Sequence, residues 1–214
     1  MNQIIDHSKP CLYIPLAMKQ EKYDGCYEWI TGELRAIEVP GIDMVRSAEE
    51  LSTKNLNDYS FLFIGGGNTF KLLHDLKTSS SFEKISEYIN NDGIVFGGSA
   101  GAIIFGKDLE ACKLADVNEV NLQDIIGFDI LNGVSILCHY TNCTPEKDEE
   151  SKQYLLELSQ HRKIVHQKKL PCVGSFLLRD RAAYRWPADP RWRSAGRQSP
   201  WTGRLPPCTG SGSG

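Results

Sequence analysis

Ile94-Val-Phe-Gly-Gly-Ser-Ala-Gly-Ala102 is a short apolar run that leads directly into a glycine-rich turn. The apolar residues predict a buried strand, and Ile103, Ile104 and Phe105 predict the start of a helix after the turn. A strand, a tight turn and a helix in this order place Ser99 just beyond the end of a strand. The small residues around it allow a strained backbone, so that the serine hydroxyl is lifted above the sheet.

The same order of elements recurs along the chain. The apolar run from Tyr59 to Ile64 leads into Gly65-Gly-Gly-Asn-Thr69, and a second helix pattern follows that turn. Farther on, Val134 to Cys138 is another apolar run, with His139 at its C-terminal end. Alternating strands and helices predict an α/β fold with a doubly wound, mostly parallel sheet and flanking helices. Because ligands of such sheets bind at the carboxyl ends of strands, we expect the two glycine turns and His139 at one site.

Composition restricts the class of protein. The 214 residues are 41% hydrophobic and 24% charged, which is typical of one globular domain with its own core. The net charge of -3 arises from positive and negative residues that are interspersed along the sequence. The sequence has no basic patch of the kind that would predict a nucleic-acid partner. The polar N-terminus and the lack of a long apolar run predict no membrane partner and a cytoplasmic location. Seven cysteines without a Cys-x-x-Cys pair argue against disulfides and zinc, and we expect no metal.

The composition changes near residue 165. Residues 166–214 contain no Ile and no Asn, but they hold six of the ten Pro, three of the four Trp and seven of the ten Arg. The Arg, Pro and Gly residues of this stretch interrupt any regular spacing of apolar residues. Apolar burial there cannot offset the conformational entropy that the chain would lose on becoming ordered. We therefore predict a core at residues 1–165 and an Arg/Pro/Trp/Gly-rich tail at residues 166–214 that is not part of it. A frameshift or vector read-through would explain the change, and a genuine Pro-rich tail is the alternative.

Ser99 is the candidate nucleophile. A serine hydroxyl becomes reactive when a base takes its proton and hydrogen-bond donors await the oxyanion. The turn could bring a substrate carbonyl close to backbone N–H groups, with that of Ala100 as one donor. The turn Gly65–Thr69 could add further N–H groups to the same pocket. Either turn could instead be a structural loop that needs positive φ, and the glycine spacing disfavours a phosphate-binding loop.

His139 is the candidate base, because it alone among the five histidines ends an apolar strand pattern. A histidine at such a position is often structural, but a nucleophile at Ser99 would give it the role of general base. An acid would be needed to orient its imidazole. The candidates, among which spacing does not choose, are Asp116, Glu119, Asp124 and Glu146.

Three motifs, in this order along the chain, resemble those of the peptidase E family of serine peptidases. They are Gly65-Gly-Gly-Asn-Thr-Phe70, Gly97-Gly-Ser-Ala-Gly-Ala102 and Cys138-His-Tyr140, and the likeness covers roughly residues 10–165. The resemblance implies a flavodoxin-like sheet, similar to that of class I glutamine amidotransferases. It also implies a Ser-His-Glu triad that works without a metal or an organic cofactor.

The resemblance assigns roles to particular residues. It makes Ser99 the nucleophile and His139 the base. The residues implied for the oxyanion hole and substrate binding are Gly66, Gly67, Asn68 and Ala100. A serine rather than a cysteine in the turn counts against amidotransfer.

Three departures from the family pattern are expected to matter. Family members begin with a strand and a helix before the segment that matches Cys11 to Ala17, and this chain has no room for them. Residues 140–160 contain no arginine of the kind that reads an acidic side chain in aspartyl dipeptidases, so aspartate specificity is doubtful. Val173 stands where the resemblance places the triad glutamate.

The resulting hypothesis is a serine-type peptidase that hydrolyses short peptides through a Ser-His based acyl-enzyme, with impaired activity if no acid replaces the glutamate. The alternative is a catalytically silent homologue or fragment that at most binds a peptide. A carboxylate within hydrogen-bond reach of His139 would favour the enzyme, and its absence would favour the fragment.

Overall fold

A computed structural model describes residues 4–140, 144–168 and 175–178. Its strands are β1 (Cys11–Ile14), β2 (Ile42–Met44), β3 (Phe61–Ile64), β4 (Val95–Gly98), β5 (Val134–Tyr140), β6 (Lys163–Lys168) and β7 (Ser175–Leu178). Its α-helices are α1 (Tyr23–Glu33), α2 (Ala48–Thr53), α3 (Thr69–Thr78), α4 (Ser81–Asn90), α5 (Ala100–Ile103) and α6 (Pro145–Ser159). Short 3-10 helices lie at Gln20–Lys22, Leu34–Ala36, Leu56–Asp58 and Glu110–Cys112. None of the helices in the described ranges is both long and apolar enough to span a membrane.

The main sheet has the strand order β2-β1-β3-β4-β7. Strands β1 to β4 are parallel, and β7 is antiparallel to β4. The order β2-β1-β3-β4 is that of flavodoxin-like sheets, so the predicted α/β, doubly wound fold is confirmed. In this order the chain reverses its direction of winding between β1 and β3. Ligands of such folds bind at this reversal, beyond the carboxyl ends of the strands.

Both faces of the main sheet are covered, which explains the continuous apolar runs of its strands. In β1, the side chains of Leu12 and Ile14 enter one hydrophobic cluster, and those of Cys11 and Tyr13 enter the opposite one. Helices α3 and α5 contribute to the first cluster, and α1 contributes Ile30 to the second. Buried strands with helices on both faces fix the positions of the turns that leave them.

The alternating pattern alone would suggest that β5 joins the main sheet. The structure places it elsewhere. Strand β5 pairs in parallel with β6 to form a second, two-stranded sheet, and β7 occupies the edge of β4. A buried carboxylate ties this second sheet to the segment after α5. Asp108 is 2% exposed, accepts a 2.8 Å hydrogen bond from Ser135 of β5 and forms an ion pair with Arg162, just before β6. These polar contacts add to the apolar packing of Ile136, Leu137 and Cys138 of β5 in the main core.

The boundary predicted at residue 165 falls within β6. Residues 175–178 of the predicted tail form β7, in which Leu177 lies opposite Phe96 of β4. Residues 166–168 of the predicted tail form the end of β6, and its other residues lie outside the described ones. The division into a core at 1–165 and a separate tail at 166–214 therefore stays a prediction.

Candidate active site

Ser99 lies in the turn between β4 and α5. Its backbone has φ 51° and ψ -111°, a conformation that residues other than glycine rarely adopt. Gly97 permits this turn, because a Cβ there would lie 2.5 Å from the carbonyl carbon of Gly101. Strained backbone of this kind occurs where the surrounding structure holds it, and here it is held at the end of a buried strand. The side chain of Ser99 is partly exposed at the carboxyl edge of the sheet.

Helix α5 differs from the helix expected from the apolar pattern. It begins at Ala100 and ends at Ile103, whereas the sequence pattern placed its start at Ile103. The reason is that the small residues of the turn are themselves helical and buried, among them Ala100 and Ala102. A helix of one turn has a weak macrodipole, so the chemistry at Ser99 depends on individual N–H groups.

His139 comes within hydrogen-bond distance of the serine. Its Nε2 atom lies 2.8 Å from Oγ of Ser99, although Ser99 follows a strand of the main sheet and His139 lies in the second sheet. The imidazole is exposed, and the backbone of His139 has a positive φ of 61°. The preceding residue adds a second contact, because the thiol of Cys138 donates to the carbonyl oxygen of Ser99 at 3.6 Å. The sequence analysis missed this thiol, since a cysteine in an apolar strand has no signature of such a contact.

The turn after β3 approaches Ser99 closely. A Cβ at Gly66 would lie 3.0 Å from Cβ and 3.6 Å from Oγ of Ser99, so a larger residue here would press against the serine. Gly67 has φ 139°, and a Cβ there would overlap the carbonyl oxygen of Ala17. The glycine turn is therefore wedged between the loop after β1 and the serine.

The structure places the four residues implied for the oxyanion hole in different settings. Ala100 follows Ser99 directly and is the first residue of α5, where a backbone N–H has no intrahelical acceptor. Gly66 lies against Ser99, and Gly67 lies against the loop after β1. The side chain of Asn68 caps α3 by accepting from the N–H of Lys71 at 2.9 Å, and its backbone N–H donates to Ala17 at 2.8 Å.

Asp116 braces the glycine turn from the other side. Its Oδ2 atom accepts a 2.9 Å hydrogen bond from the backbone N–H of Thr69 and a short one from the Thr69 hydroxyl. Burial, and next the charge of Asp116, raise the pKa of the Cys138 thiol to about 12. The carboxylate is thus close to both the glycine turn and the end of β5. No sequence signal pairs Asp116 with Thr69, which lies 47 residues earlier.

Among the described residues, no group of three or more His, Cys, Asp or Glu side chains could hold a metal ion. The described cysteines at positions 11, 26, 112 and 138 are free thiols. Burial raises the pKa of the Cys112 thiol as well as that of Cys138, so both remain protonated near neutral pH.

Comparison with known families decides the classification of this arrangement. The family model described as Peptidase family S51 matches residues 1–168. The chain belongs to this family. Membership in S51 places the chain among peptidases and agrees with the resemblance to peptidase E.

Individual relatives support the assignment to S51. Peptidase E of Salmonella typhi is 29% identical over 173 residues, which are 78% of this chain and 69% of that protein. A candidate peptidase E protein from Listeria monocytogenes EGD-e, of known structure, aligns with a TM-score of 0.61 and 25% identity over 81% of this chain and 88% of that chain. A peptidase from an acI-B1 actinobacterium aligns with a TM-score of 0.58 over 81% of this chain and 75% of that chain. At 17% identity, this last likeness shows the fold alone.

Each of the four candidate acids of this S51 chain either has another partner or is exposed. Asp116 is bound to Thr69, and Asp124 forms an ion pair with Lys77 at 2.7 Å. Glu119 and Glu146 are exposed. Within the part of the chain that the structure describes, no carboxylate is hydrogen-bonded to His139. Val173, at the position expected for the glutamate, lies outside the described residues.

Proposed function

We propose that this chain is a serine-type peptidase that hydrolyses short peptides, with Ser99 as the nucleophile and His139 as the general base. The observation that carries the proposal is the 2.8 Å distance between Nε2 of His139 and Oγ of Ser99. It occurs in a strained turn after a buried strand, in a chain of a peptidase family. Nucleophile and base within hydrogen-bond reach are the signature of covalent catalysis by a hydroxyl.

The chemistry follows from this geometry. With Nε2 of His139 as acceptor, the Ser99 hydroxyl gives up its proton as Oγ attacks the carbonyl carbon of the scissile peptide bond. The imidazolium then gives that proton to the leaving amine as the C–N bond breaks, which leaves an acyl ester on Ser99. A water molecule, deprotonated by the same imidazole, attacks the ester, releases the acid product and restores the hydroxyl.

The oxyanion formed in each step needs donors close to Ser99. We assign this role to the backbone N–H groups of Gly66 and Ala100, which belong to the two turns that meet at the serine. Gly67 and Asn68 would support the turn instead, since both lie against Ala17. This assignment narrows the four residues implied by the resemblance to two donors and two supports.

One observation favours the second candidate function, which is peptide binding without efficient turnover. His139 is exposed and has no carboxylate partner among the described residues. In serine proteases, the loss of the orienting acid lowers turnover by about 10⁴-fold. Both candidate functions share the same site and differ only in rate.

The experiment that tests the proposal is hydrolysis of a panel of dipeptides by the full chain and by Ser99→Ala. We expect the substitution to lower the rate by at least about 1,000-fold. A measurable wild-type rate that Ser99→Ala leaves unchanged would refute the proposal. If the wild-type rate is itself at background while the peptides still bind, the second candidate function is the correct one.

A further inference from the structure

Two consecutive residues of β5 both reach Ser99. The thiol of Cys138 donates to the carbonyl oxygen of Ser99 at 3.6 Å, and Nε2 of His139 lies 2.8 Å from its Oγ. In a regular strand, neighbouring side chains point to opposite faces, so only one of the two would reach the serine. Here the pairing of β5 with β6 shifts register between Leu137 and Tyr140, and His139 has a positive φ of 61°. This irregularity directs both side chains to the serine.

The acceptor of the thiol is a carbonyl that already has two donors. The backbone N–H groups of Ala102 and Ile103 donate to the carbonyl oxygen of Ser99 at 2.9 Å and 3.0 Å. Both residues belong to α5, a helix of four residues. A helix as short as this is not stable by itself, so these two bonds hold the carbonyl only as firmly as the surrounding packing holds α5. The thiol of Cys138 is a third donor, which comes from outside the helix and from the second sheet.

The orientation of this carbonyl also sets the orientation of an N–H group. The carbonyl of Ser99 and the N–H of Ala100 belong to one planar trans peptide unit, in which the two bonds point in opposite directions. A donor that holds the carbonyl therefore holds the N–H as well. The N–H of Ala100 is one of the two donors assigned above to the oxyanion. A hydrogen bond to the carbonyl also polarises the peptide unit, which makes its N–H a better donor.

The thiol of Cys138 remains a hydrogen-bond donor near neutral pH. Cys138 is 4% exposed, and burial, followed by the charge of Asp116, raises the pKa of its thiol to about 12. A protonated thiol donates to a carbonyl oxygen, whereas a thiolate would be repelled by it. The third bond to the serine turn therefore comes from a group whose charge does not change in this pH range.

We propose that Cys138 is a positioning residue, whose thiol orients the peptide unit between Ser99 and Ala100 so that the Ala100 N–H faces the oxyanion. The inference rests on the function proposed above. It adds to His139, which accepts the proton, a second residue of β5 that acts on the same turn. In this role Cys138 acts through Ala100 and not on the substrate itself.

The first test compares the rates at which a fluorophosphonate labels Ser99 in the wild-type chain, Cys138→Ala and Cys138→Ser, with thermal unfolding to check that the variants are folded. Alanine removes the donor and should slow labelling by about tenfold, because the Ala100 N–H no longer meets the phosphoryl oxygen at its best angle. Serine loses the same sulfur but keeps a donor, so it should retain most of the wild-type rate. A role in packing alone predicts no such rescue, since neither residue replaces the apolar contacts of sulfur. The control is Cys11→Ala, at a thiol that is also buried but belongs to the opposite hydrophobic cluster, which should leave the rate unchanged.

The second test does not depend on reactivity. Enriching the chain in ¹³C at serine carbonyls and in ¹⁵N at alanine gives one NMR signal for each Ser-Ala peptide bond, and the sequence contains three, at positions 47–48, 99–100 and 194–195. The signal of 99–100 is identified by its loss in Ser99→Ala. We expect it to move in Cys138→Ala and to move less in Cys138→Ser. The signal of 47–48 serves as the internal reference and should stay in place.

Failure of this inference can be told apart from failure of the proposed function. If Ser99 is labelled but Cys138→Ala reacts as fast as wild type, or Cys138→Ser is as slow as Cys138→Ala, the positioning role is wrong. If Ser99 is not labelled even in the wild-type chain while the 99–100 signal moves as expected, the orientation of the peptide unit by Cys138 stands and the catalytic proposal falls. An unmoved 99–100 signal in Cys138→Ala, or slow labelling in Cys11→Ala, would overturn the inference.

Discussion

The candidate nucleophile and base are held by two sheets of different construction. Ser99 follows β4, a buried strand that is hydrogen-bonded on both sides within the main sheet. His139 lies next to the last residue of β5 in the two-stranded sheet, where it is exposed. The first position is fixed by close packing of backbone and small residues. The second follows residues of β5 that are buried in the core, but its own side chain is open to water. We conclude that substitutions near Ser99 should act first on folding, and those at His139 first on reactivity.

The largest effect on the free energy of unfolding should come from adding a side-chain atom in the tightly packed turn that holds Ser99. In Gly101→Ala, the new Cβ would overlap the carbonyl oxygen of Ile64 on β3, where the backbone cannot yield. We expect a loss of more than about 3 kcal/mol in the free energy of unfolding, measured by urea denaturation. The matched control is Gly25→Ala in α1, where a Cβ meets nothing within 4 Å. Alanine there should be neutral or stabilise by up to about 1 kcal/mol, and equal losses at both sites would contradict this account of the turn.

The polar anchor of the second sheet gives the next largest effect. Arg162→Ala leaves Asp108, which is 2% exposed, without its cationic partner. We expect a loss of about 2 kcal/mol in the free energy of unfolding, because a buried carboxylate loses a hydrogen bond. Arg46→Ala is the control, since its ion pair with Asp24 is exposed and should contribute about 0.5 kcal/mol or less. Similar losses in the two variants would show that the anchor is no stronger than a surface ion pair.

A smaller effect on stability, but a clear one on reactivity, is expected at the link between the two regions. Asp116→Asn weakens the hydrogen bonds that hold Thr69 and hence the glycine turn beside Ser99. We expect labelling of Ser99 by a fluorophosphonate to slow by about tenfold, because a displaced donor no longer meets the oxyanion. Stability should fall by about 1 kcal/mol. The control is Glu119→Gln, at an exposed carboxylate of the same loop, which should change neither the labelling rate nor the stability. A labelling rate that Asp116→Asn leaves unchanged would show that Asp116 does not support the active site.

The smallest effect concerns the ion pair between α3 and the same loop. Its hydrogen bond from Lys77, and next that from the N–H of Ile126, hold the pKa of Asp124 below its ordinary value. A carboxylate with a lowered pKa stabilises the fold above its unfolded pKa, and this contribution is lost as the pH falls through the folded pKa. Because the side chain is 65% exposed, Asp124→Asn should cost less than about 1 kcal/mol at neutral pH. The difference in urea denaturation should shrink as the pH falls below 3.8, the ordinary pKa of the group, and through its lower folded pKa. A difference that does not shrink would exclude the charge as its cause.

Sequence reasoning succeeded where local pattern determines structure. The apolar runs of β3 and β4 end in glycine turns whose partners lie on neighbouring strands, so their meeting at one edge could be predicted. The placement of β5 in a second sheet could not, because a short apolar run does not say which strand it pairs with. The contact of Asp116 with Thr69 was equally hidden, since it joins residues far apart in the chain through one side chain. For the same reason, spacing did not show that two of the four candidate acids, Asp116 and Asp124, have other partners.

The most direct test of the proposed serine-histidine pair is the rate at which a fluorophosphonate labels Ser99 in the wild-type chain and in His139→Asn. Asparagine is chosen because it tolerates the positive φ of 61° at this position, so the backbone of β5 is kept while the base is removed. Ser99→Ala serves as the blank, and thermal unfolding checks that both variants are folded. The proposed mechanism predicts a labelling rate at least about 100-fold lower in His139→Asn, with a similar melting temperature. Equal labelling of wild type and His139→Asn, or any labelling that survives in Ser99→Ala, would contradict it.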